Sequence, residues 1–253
     1  MKEKFMLPFG YVKEQGSVLS LDLKTFYSAL FIGPKKSGKT TLMQCMALIM
    51  RDYGYEVNMI GNEALMEWAH KNGVNGYTYA SVQWTEKFQS IRSLIGERSK
   101  LLTEAKTISN EKKNEVADSF KPVVIMIDEI DKFISLNEKD QGMLTNLGFF
   151  VQDNEKIASY KIFTYATVSR KGYASARMQQ PLSTMLGVQR AVMMQGVTYE
   201  ADPYSVASRS TSLKRAGELP RGEGLLVTDD GITRLVFPQI ELQEDDADSP
   251  EER

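Results

Sequence analysis

Residues that build metal centres and covalent cross-links are nearly absent from this sequence. A single cysteine, Cys45, excludes an internal disulfide and suits a reducing, cytoplasmic setting. A single histidine, His70, excludes a His-rich zinc site. Long apolar runs are missing too: stretches such as Val123 to Ile127 fall far short of the roughly 20 residues that span a bilayer. Met1-Lys2-Glu3-Lys4 is too polar for a secretory signal, so the chain reads as soluble. There is little net charge, −2 over 253 residues, and six acids (Glu244, Asp245, Asp246, Asp248, Glu251, Glu252) crowd the last ten positions. Without that tail the body is close to neutral, which argues against a generally basic nucleic-acid coat. With 42% apolar and 25% charged residues, the composition excludes disordered and collagen-like chains.

What is present alternates between strand and helix. Phe5 to Leu23 reads as a β-hairpin interrupted at Glu14-Gln15-Gly16-Ser17. Ser28 to Ile32 is a short apolar strand, followed by a Gly/Pro/Lys loop and a helix that starts at Lys39 and closes at Tyr53-Gly54. Glu56 to Ile60 reads as a strand, and Glu63 to Lys71 as a helix stopped by Gly73. The longest helical pattern runs from Thr85 to about Val116, with a charged and solvated outer face. After Pro122, Val123-Val124-Ile125-Met126-Ile127 fits a strand buried on both faces of a parallel sheet. Glu138 to Gln152 reads as helix; Lys161 to Val168, Arg190 to Gln195 and Gly224 to Val227 read as strands, the last in a hairpin turning at Asp229-Asp230-Gly231. This order predicts an α/β fold with a mostly parallel central sheet flanked by helices, and β-hairpin additions at the N- and C-terminal ends. Residues 1–240 are expected to form a single domain, and 241–253 an acidic, disordered tail.

Gly33-Pro34-Lys35-Lys36-Ser37-Gly38-Lys39-Thr40 satisfies G-x-x-x-x-G-K-[ST], between an apolar strand and a helix. Glycines let successive N–H groups turn toward a phosphate, and the helix N-terminus adds its dipole. Gly33 through Thr41 are therefore the expected ATP-binding residues, with Lys39 reaching the β/γ-phosphates and Thr40 ligating Mg²⁺. The second motif is the strand ending in Asp128-Glu129, at the carboxyl end where ligands of parallel sheets bind. Asp128 is the expected Mg²⁺ partner and Glu129 the residue that orients the attacking water. The pair predicts a RecA-like P-loop NTPase that uses ATP. A GTPase would want an Asn-Lys-x-Asp motif, and the sequence has none.

The order of elements resembles the motor domain of the FtsK/SpoIIIE family, from Leu7-Pro8-Phe9-Gly10 to Gly222-Glu223-Gly224-Leu225-Leu226. Ile95 to Lys100 is similar to a family helix, Ala166-Thr167 to the start of its Ala-Thr-Gln-Arg sensor, and Gln189-Arg190-Ala191 to a later strand. The P-loop wording and the Val-Ser-Arg after Ala-Thr most resemble the last ATPase domain of the type VII secretion coupling proteins of the EssC/EccC group. That resemblance implies neighbouring motor domains in a membrane-anchored chain at the cytoplasmic face. It further implies small helical secreted proteins of the WXG100 type, or other export substrates, as partners; a homo-hexamer is one possible assembly, and the sequence leaves the ring stoichiometry open. The alternatives are a DNA-translocating ATPase like FtsK, disfavoured by the near-neutral body and acidic tail, and a pseudo-ATPase that only binds substrate.

Two departures stand out. Lys36 takes the place of a usual glycine, and Val168 falls where the sensor's glutamine is expected. The loss of that polar contact, together with the missing partner subunits, predicts slow ATP turnover for the isolated domain. Arg170, Arg177, Arg190, Arg209 and Arg215 are the candidates for an arginine finger, and no spacing singles one out. Cys45 is expected to pack, His70 to lie at the surface, and Met178, Met185, Met193 and Met194 to fill adaptable core.

Overall fold

The computed structural model describes residues 5–152, 154–188, 190–196, 202, 219–228 and 231–238, with the backbone alone at 141, 146, 152, 154 and 155. The expected hairpin is β1 (Met6–Val12) and β2 (Ser17–Asp22), paired antiparallel from Met6↔Asp22 to Val12↔Ser17. Then come β3 (Ser28–Gly33), α1 (Lys39–Asp52), β4 (Glu56–Gly61), α2 (Glu63–Lys71) and β5 (Asn75–Thr78). Asn62 starts α2, its side chain accepting from the Leu65 amide at 2.9 Å.

The long helical pattern is two helices, α3 (Val82–Ile108) and α4 (Asn110–Ser119). Ser109 breaks the continuous run expected from the sequence. Its backbone is extended (φ −164°), and its hydroxyl accepts from the Lys112 amide at 3.0 Å, so one residue ends α3 and caps α4. There follow β6 (Val123–Ile127), α5 (Ile130–Leu136), α6 (Gln141–Gln152), α7 (Asn154–Ser159), β7 (Ile162–Ser169), α8 (Arg170–Ala176), α9 (Leu182–Gly187), β8 (Ala191–Met194), β9 (Glu223–Thr228) and β10 (Gly231–Val236). The turn expected at Asp229-Asp230 and the acidic tail lie outside the described residues.

All ten strands join one sheet in the order β2-β1-β10-β9-β8-β3-β7-β6-β4-β5. From β8 to β5 the neighbours run parallel; from β8 back to β2 they run antiparallel. The N- and C-terminal hairpins therefore form a single antiparallel wing, joined through β1 and β10.

Apolar cores cover both faces. On one face α1 and α2 pack with Leu42, Met43, Met46, Leu65 and Ala69 over Phe31, Val124 and Tyr165. On the other, α3, α5 and α6 bury Trp84, Phe88, Phe133, Leu147 and Phe150 against Ile32, Ile125 and Val168. The five residues of β6 are 0–2% exposed, as expected for a strand covered on both sides. Arg98 on α3 ties the lower ends of two central strands together. Its guanidinium donates to the carbonyls of Tyr160 and of Lys121 (2.6 Å) and lies 5.0 Å over the Phe120 ring. Cys45 is buried and unpaired, and His70 is exposed, as expected. Met185, Met193 and Met194 are buried, but Met178 is 84% exposed and is no part of the core.

Candidate functional site

The parallel strands β3, β6 and β7 end on the same edge, so the loops that follow them are neighbours. After β3 the chain turns through Gly33 to Gly38 into α1. Gly33 has no room for a side chain: a Cβ there would lie 2.7 Å from Met194 Cβ and 2.9 Å from Ser37 Oγ. Gly38, the N-cap of α1, has φ +96°, and Lys36 has φ +63°. The left-handed backbone at Lys36 explains why glycine is expected at that place; its side chain, like that of Lys35, projects into solvent.

Lys39 is 8% exposed and folds back over the loop, its Nζ donating to the carbonyls of Gly33 (3.1 Å) and Pro34 (2.8 Å). Two of its three N–H donors are thus used to hold the loop's curvature. Burial pulls its pKa down, opposed by the carboxylates of Asp128, Glu129 and Asp131. Ser37 Oγ is buried inside the turn and finds no hydrogen-bond partner among the described residues.

Across from the turn, Asp128 at the end of β6 is 5% exposed. Thr40, in the first turn of α1, donates to Asp128 Oδ2 at 2.9 Å, and Thr167 near the end of β7 donates to Oδ1 at 2.5 Å. Burial raises the pKa of Asp128; the two hydroxyls work against that rise. Thr167 Oγ1 also accepts from the Glu129 amide at 2.8 Å. Glu129 has left-handed backbone angles (φ 48°, ψ 59°), and its carboxylate takes hydrogen bonds from Lys132 and from Tyr79 OH (3.3 Å).

The residues expected from sequence are thus brought together: Gly33 to Gly38 form one turn that leads into Lys39 and Thr40 at the start of α1, with Asp128 hydrogen bonded to Thr40 and Glu129 beside it. Thr41 faces a fissure of about 350 Å³ on the outer side of the turn, shared with Gln44, Met194, Arg221, Phe237 and Pro238. The expectation at the sensor position needs correction. Val168 is fully buried on the opposite face of the sheet, and the polar contact to the acid pair is made by Thr167.

Among the arginine candidates, Arg170 donates to the Gln195 carbonyl at 3.3 Å and Arg190 lies 4.6 Å over the Tyr27 ring. Arg177 is exposed, and Arg209 and Arg215 lie outside the described residues. Thr167 is named in the sequence only as the start of the sensor, without its contact to the acids, and Tyr79, Lys132 and Arg221 carry no sequence signal. The alternation of β7 is the signal that turns Thr167, and not Val168, toward the acids.

A glycine-lined turn at a helix start, a buried lysine and an acid-ended central strand define the P-loop ATPase class. The profile of the AAA family (ATPase family associated with various cellular activities) matches residues 29–209, and the chain belongs to that family. No curated protein sequence matches the chain. Among solved structures it is similar to the cytoplasmic domain of EssC, at 12% identity and a TM-score of 0.74, covering 94% of this chain and 44% of that one. It is also similar to EssC (ATPases 2 and 3) from Geobacillus thermodenitrificans, at 13% identity, TM-score 0.67, and coverage of 94% and 42%. Thermomonospora curvata EccC (ATPases 2 and 3), solved in complex with a signal sequence peptide, matches at 17% identity, TM-score 0.65, and coverage of 94% and 41%. At such identities the likeness establishes a shared fold. The chain spans less than half the length of each of these structures. Among the described residues no helix is long and apolar enough to cross a membrane.

Proposed function

We propose that this chain is an ATP-binding, ATP-hydrolysing motor-type domain of a type VII secretion coupling protein. In this reading it works beside other motor domains of a larger membrane-anchored chain, or in a ring, and engages small helical export substrates of the WXG100 type. The observation that carries the nucleotide part is the Thr40–Asp128 hydrogen bond, which joins the phosphate-type turn to the acid-ended strand.

The donor set fits a hard divalent cation beside a phosphate. A hydroxyl and a carboxylate oxygen stand 2.9 Å apart, in a pocket where an ionised carboxylate gains from a cationic partner. Thr40 and Asp128 would hold Mg²⁺, which when bound neutralises phosphate charge. The unpartnered Ser37 hydroxyl and the amides of the turn would bind the phosphates, and the remaining N–H of Lys39 would reach the β/γ oxygens. Glu129 would orient the attacking water. The fissure outside the turn offers Met194, Phe237 and Pro238 as apolar walls for a base, with Gln44 and Arg221 as its polar groups.

Support for the secretion role comes from the EssC and EccC folds and from the P-loop wording. The test is capture of purified small helical secreted proteins on the immobilised chain, with and without Mg-ATP. Retention that requires their C-terminal segment supports the role. Salt-sensitive submicromolar binding of duplex DNA, with no retention of those proteins, would point to DNA translocation instead.

A further inference from the structure

The fissure outside the phosphate turn is also where the chain leaves the described fold. Pro238, the last described residue, lines that fissure together with Ser37 and Gly38 of the turn and with Arg221. Four acids in five positions follow in the sequence, at Glu244, Asp245, Asp246 and Asp248. Glu244 stands six residues beyond Pro238, and an extended chain covers about 20 Å in six residues. The acids are therefore within reach of the turn of their own chain.

The turn is built to attract an anion. Gly38, the N-cap of α1, supplies no side-chain cap, and the first turn of the helix holds no acid to offset its dipole. Ser37, 0% exposed, has a hydroxyl without a partner among the described residues. Lys35 and Lys36 in the turn and Arg221 across the fissure are exposed, and none of the three side chains is paired among the described residues. Asp128 is buried and engaged by Thr40 and Thr167, so it gives these cations no ion pair.

We infer that the acidic stretch 244–248 docks on this cationic rim of its own chain and competes with ATP for the turn. The inference rests on the nucleotide reading proposed above and concerns the regulation of that site. Carboxylates beside Lys35, Lys36 and Arg221 supply the negative charge that phosphates would otherwise bring. Each such contact is a solvated ion pair and weak alone, but the tether gives the stretch an effective concentration on the order of 1 mM. A stretch that binds the rim with a Kd of about 0.1 mM then weakens ATP roughly tenfold.

The test measures the Mg-ATP affinity of the full chain by isothermal titration at low salt. One variant carries Glu244→Gln, Asp245→Asn, Asp246→Asn and Asp248→Asn. A control removes as many acids from the exposed sides of α3 and α4, as Glu86→Gln, Glu97→Gln, Glu104→Gln and Glu111→Gln. The first variant is expected to bind about tenfold tighter than the wild type and the control less than about twofold tighter, with the gain fading as salt rises. Beside Lys35→Gln, Lys36→Gln and Arg221→Gln, the same four changes are expected to alter affinity by less than about twofold. A readout without nucleotide accompanies it. A free peptide of residues 239–253 should saturate the first variant near about 0.1 mM, and lose that binding when the three cations are replaced. Equal ATP affinity in the wild type and the first variant, or an equal gain in the control, overturns the docking alone. A gain that grows with protein concentration assigns the contact to a second copy and overturns docking within one chain. No Mg-ATP binding by either the wild type or the first variant overturns the nucleotide reading and the competition with it.

Discussion

The Thr167 hydroxyl stands between the two acids of the site, donating to Asp128 at 2.5 Å while accepting from the Glu129 amide at 2.8 Å. One side chain on β7 thus fixes both the orientation of the buried carboxylate and the backbone from which the second acid projects. Thr167→Val keeps the shape and removes the hydroxyl, leaving a carboxylate oxygen and an N–H without this partner. We expect a loss of about 1–3 kcal/mol of stability, and a fall in ATP turnover larger than the fall in ATP affinity. Denaturant unfolding and steady-state kinetics check both. Thr167→Ser should recover most of each loss, whereas full activity in the valine variant would contradict the assigned role.

Two glycines should respond to alanine in opposite directions. Gly96 lies on the exposed face of α3, where an added Cβ meets nothing within 4 Å. Gly96→Ala is expected to stabilise by about 0.5–1 kcal/mol through helix propensity and reduced unfolded-state entropy. Gly172, in α8, faces Asp131 so closely that a Cβ would sit 2.1 Å from Oδ2. Gly172→Ala must displace that carboxylate and is expected to destabilise. Paired melting curves decide it, and equal shifts of the same sign would contradict the packing described.

Arg98 is expected to be the most costly single truncation away from the site. Burial lowers its pKa against the opposing pull of Glu56 and Glu97, yet it holds two main-chain carbonyls. Arg98→Ala would leave the carbonyls of Tyr160 and Lys121 without this donor, just before β7 and β6 respectively. The expected loss is about 3 kcal/mol or more, read by urea unfolding. A loss below the uncertainty of the measurement would show that water replaces the guanidinium without cost.

An acid-labile contact links α4 to the residues just after β2 and just before β7. Asp118 accepts from Lys161 (2.9 Å) and Lys24 (3.1 Å). Burial opposes its ionisation, but the two hydrogen bonds prevail and hold its carboxyl below the usual carboxylate range. A depressed carboxylate pKa contributes stability above the unfolded value of about 3.9 and loses it as pH falls through the folded value. Asp118→Asn should therefore melt below the wild type at pH 7, and the difference should shrink as pH falls below the unfolded value and through the folded one. A difference independent of pH would contradict the ionic origin of the contact.

Much of the site was legible in the sequence because its requirements are local. The P-loop spacing encodes a backbone turn that excludes a Cβ at Gly33 and needs a left-handed residue at Gly38, and β6 announces its burial through five apolar residues. The role of Thr167 was not legible from motif likeness, which marks the segment but not the side chain, since strand parity decides which neighbour faces the acids. Ala166 and Val168 pack with Ile162 in one core, Phe163 and Tyr165 in the other. Strand β5 was missed because Asn75-Gly76-Tyr77-Thr78 has no apolar alternation. An Asn75–Asn58 side-chain bond (3.2 Å) and a glycine pressed against α2 help hold it at the edge. The break at Ser109 was masked by helical periodicity on both sides of it. Tyr79 and Lys132 carry no motif, and only the folded chain brings the tyrosine to Glu129.

The central claim is that the turn from Gly33 to Thr40, with Asp128 across from it, binds the triphosphate of ATP. Isothermal titration of the wild-type chain and of Lys39→Ala with Mg-ATP tests it most directly. The account expects saturable one-site binding by the wild type, lost by at least tenfold in the variant and weakened when Mg²⁺ is chelated. Equal affinity in both proteins, or heats independent of Mg²⁺, would contradict it.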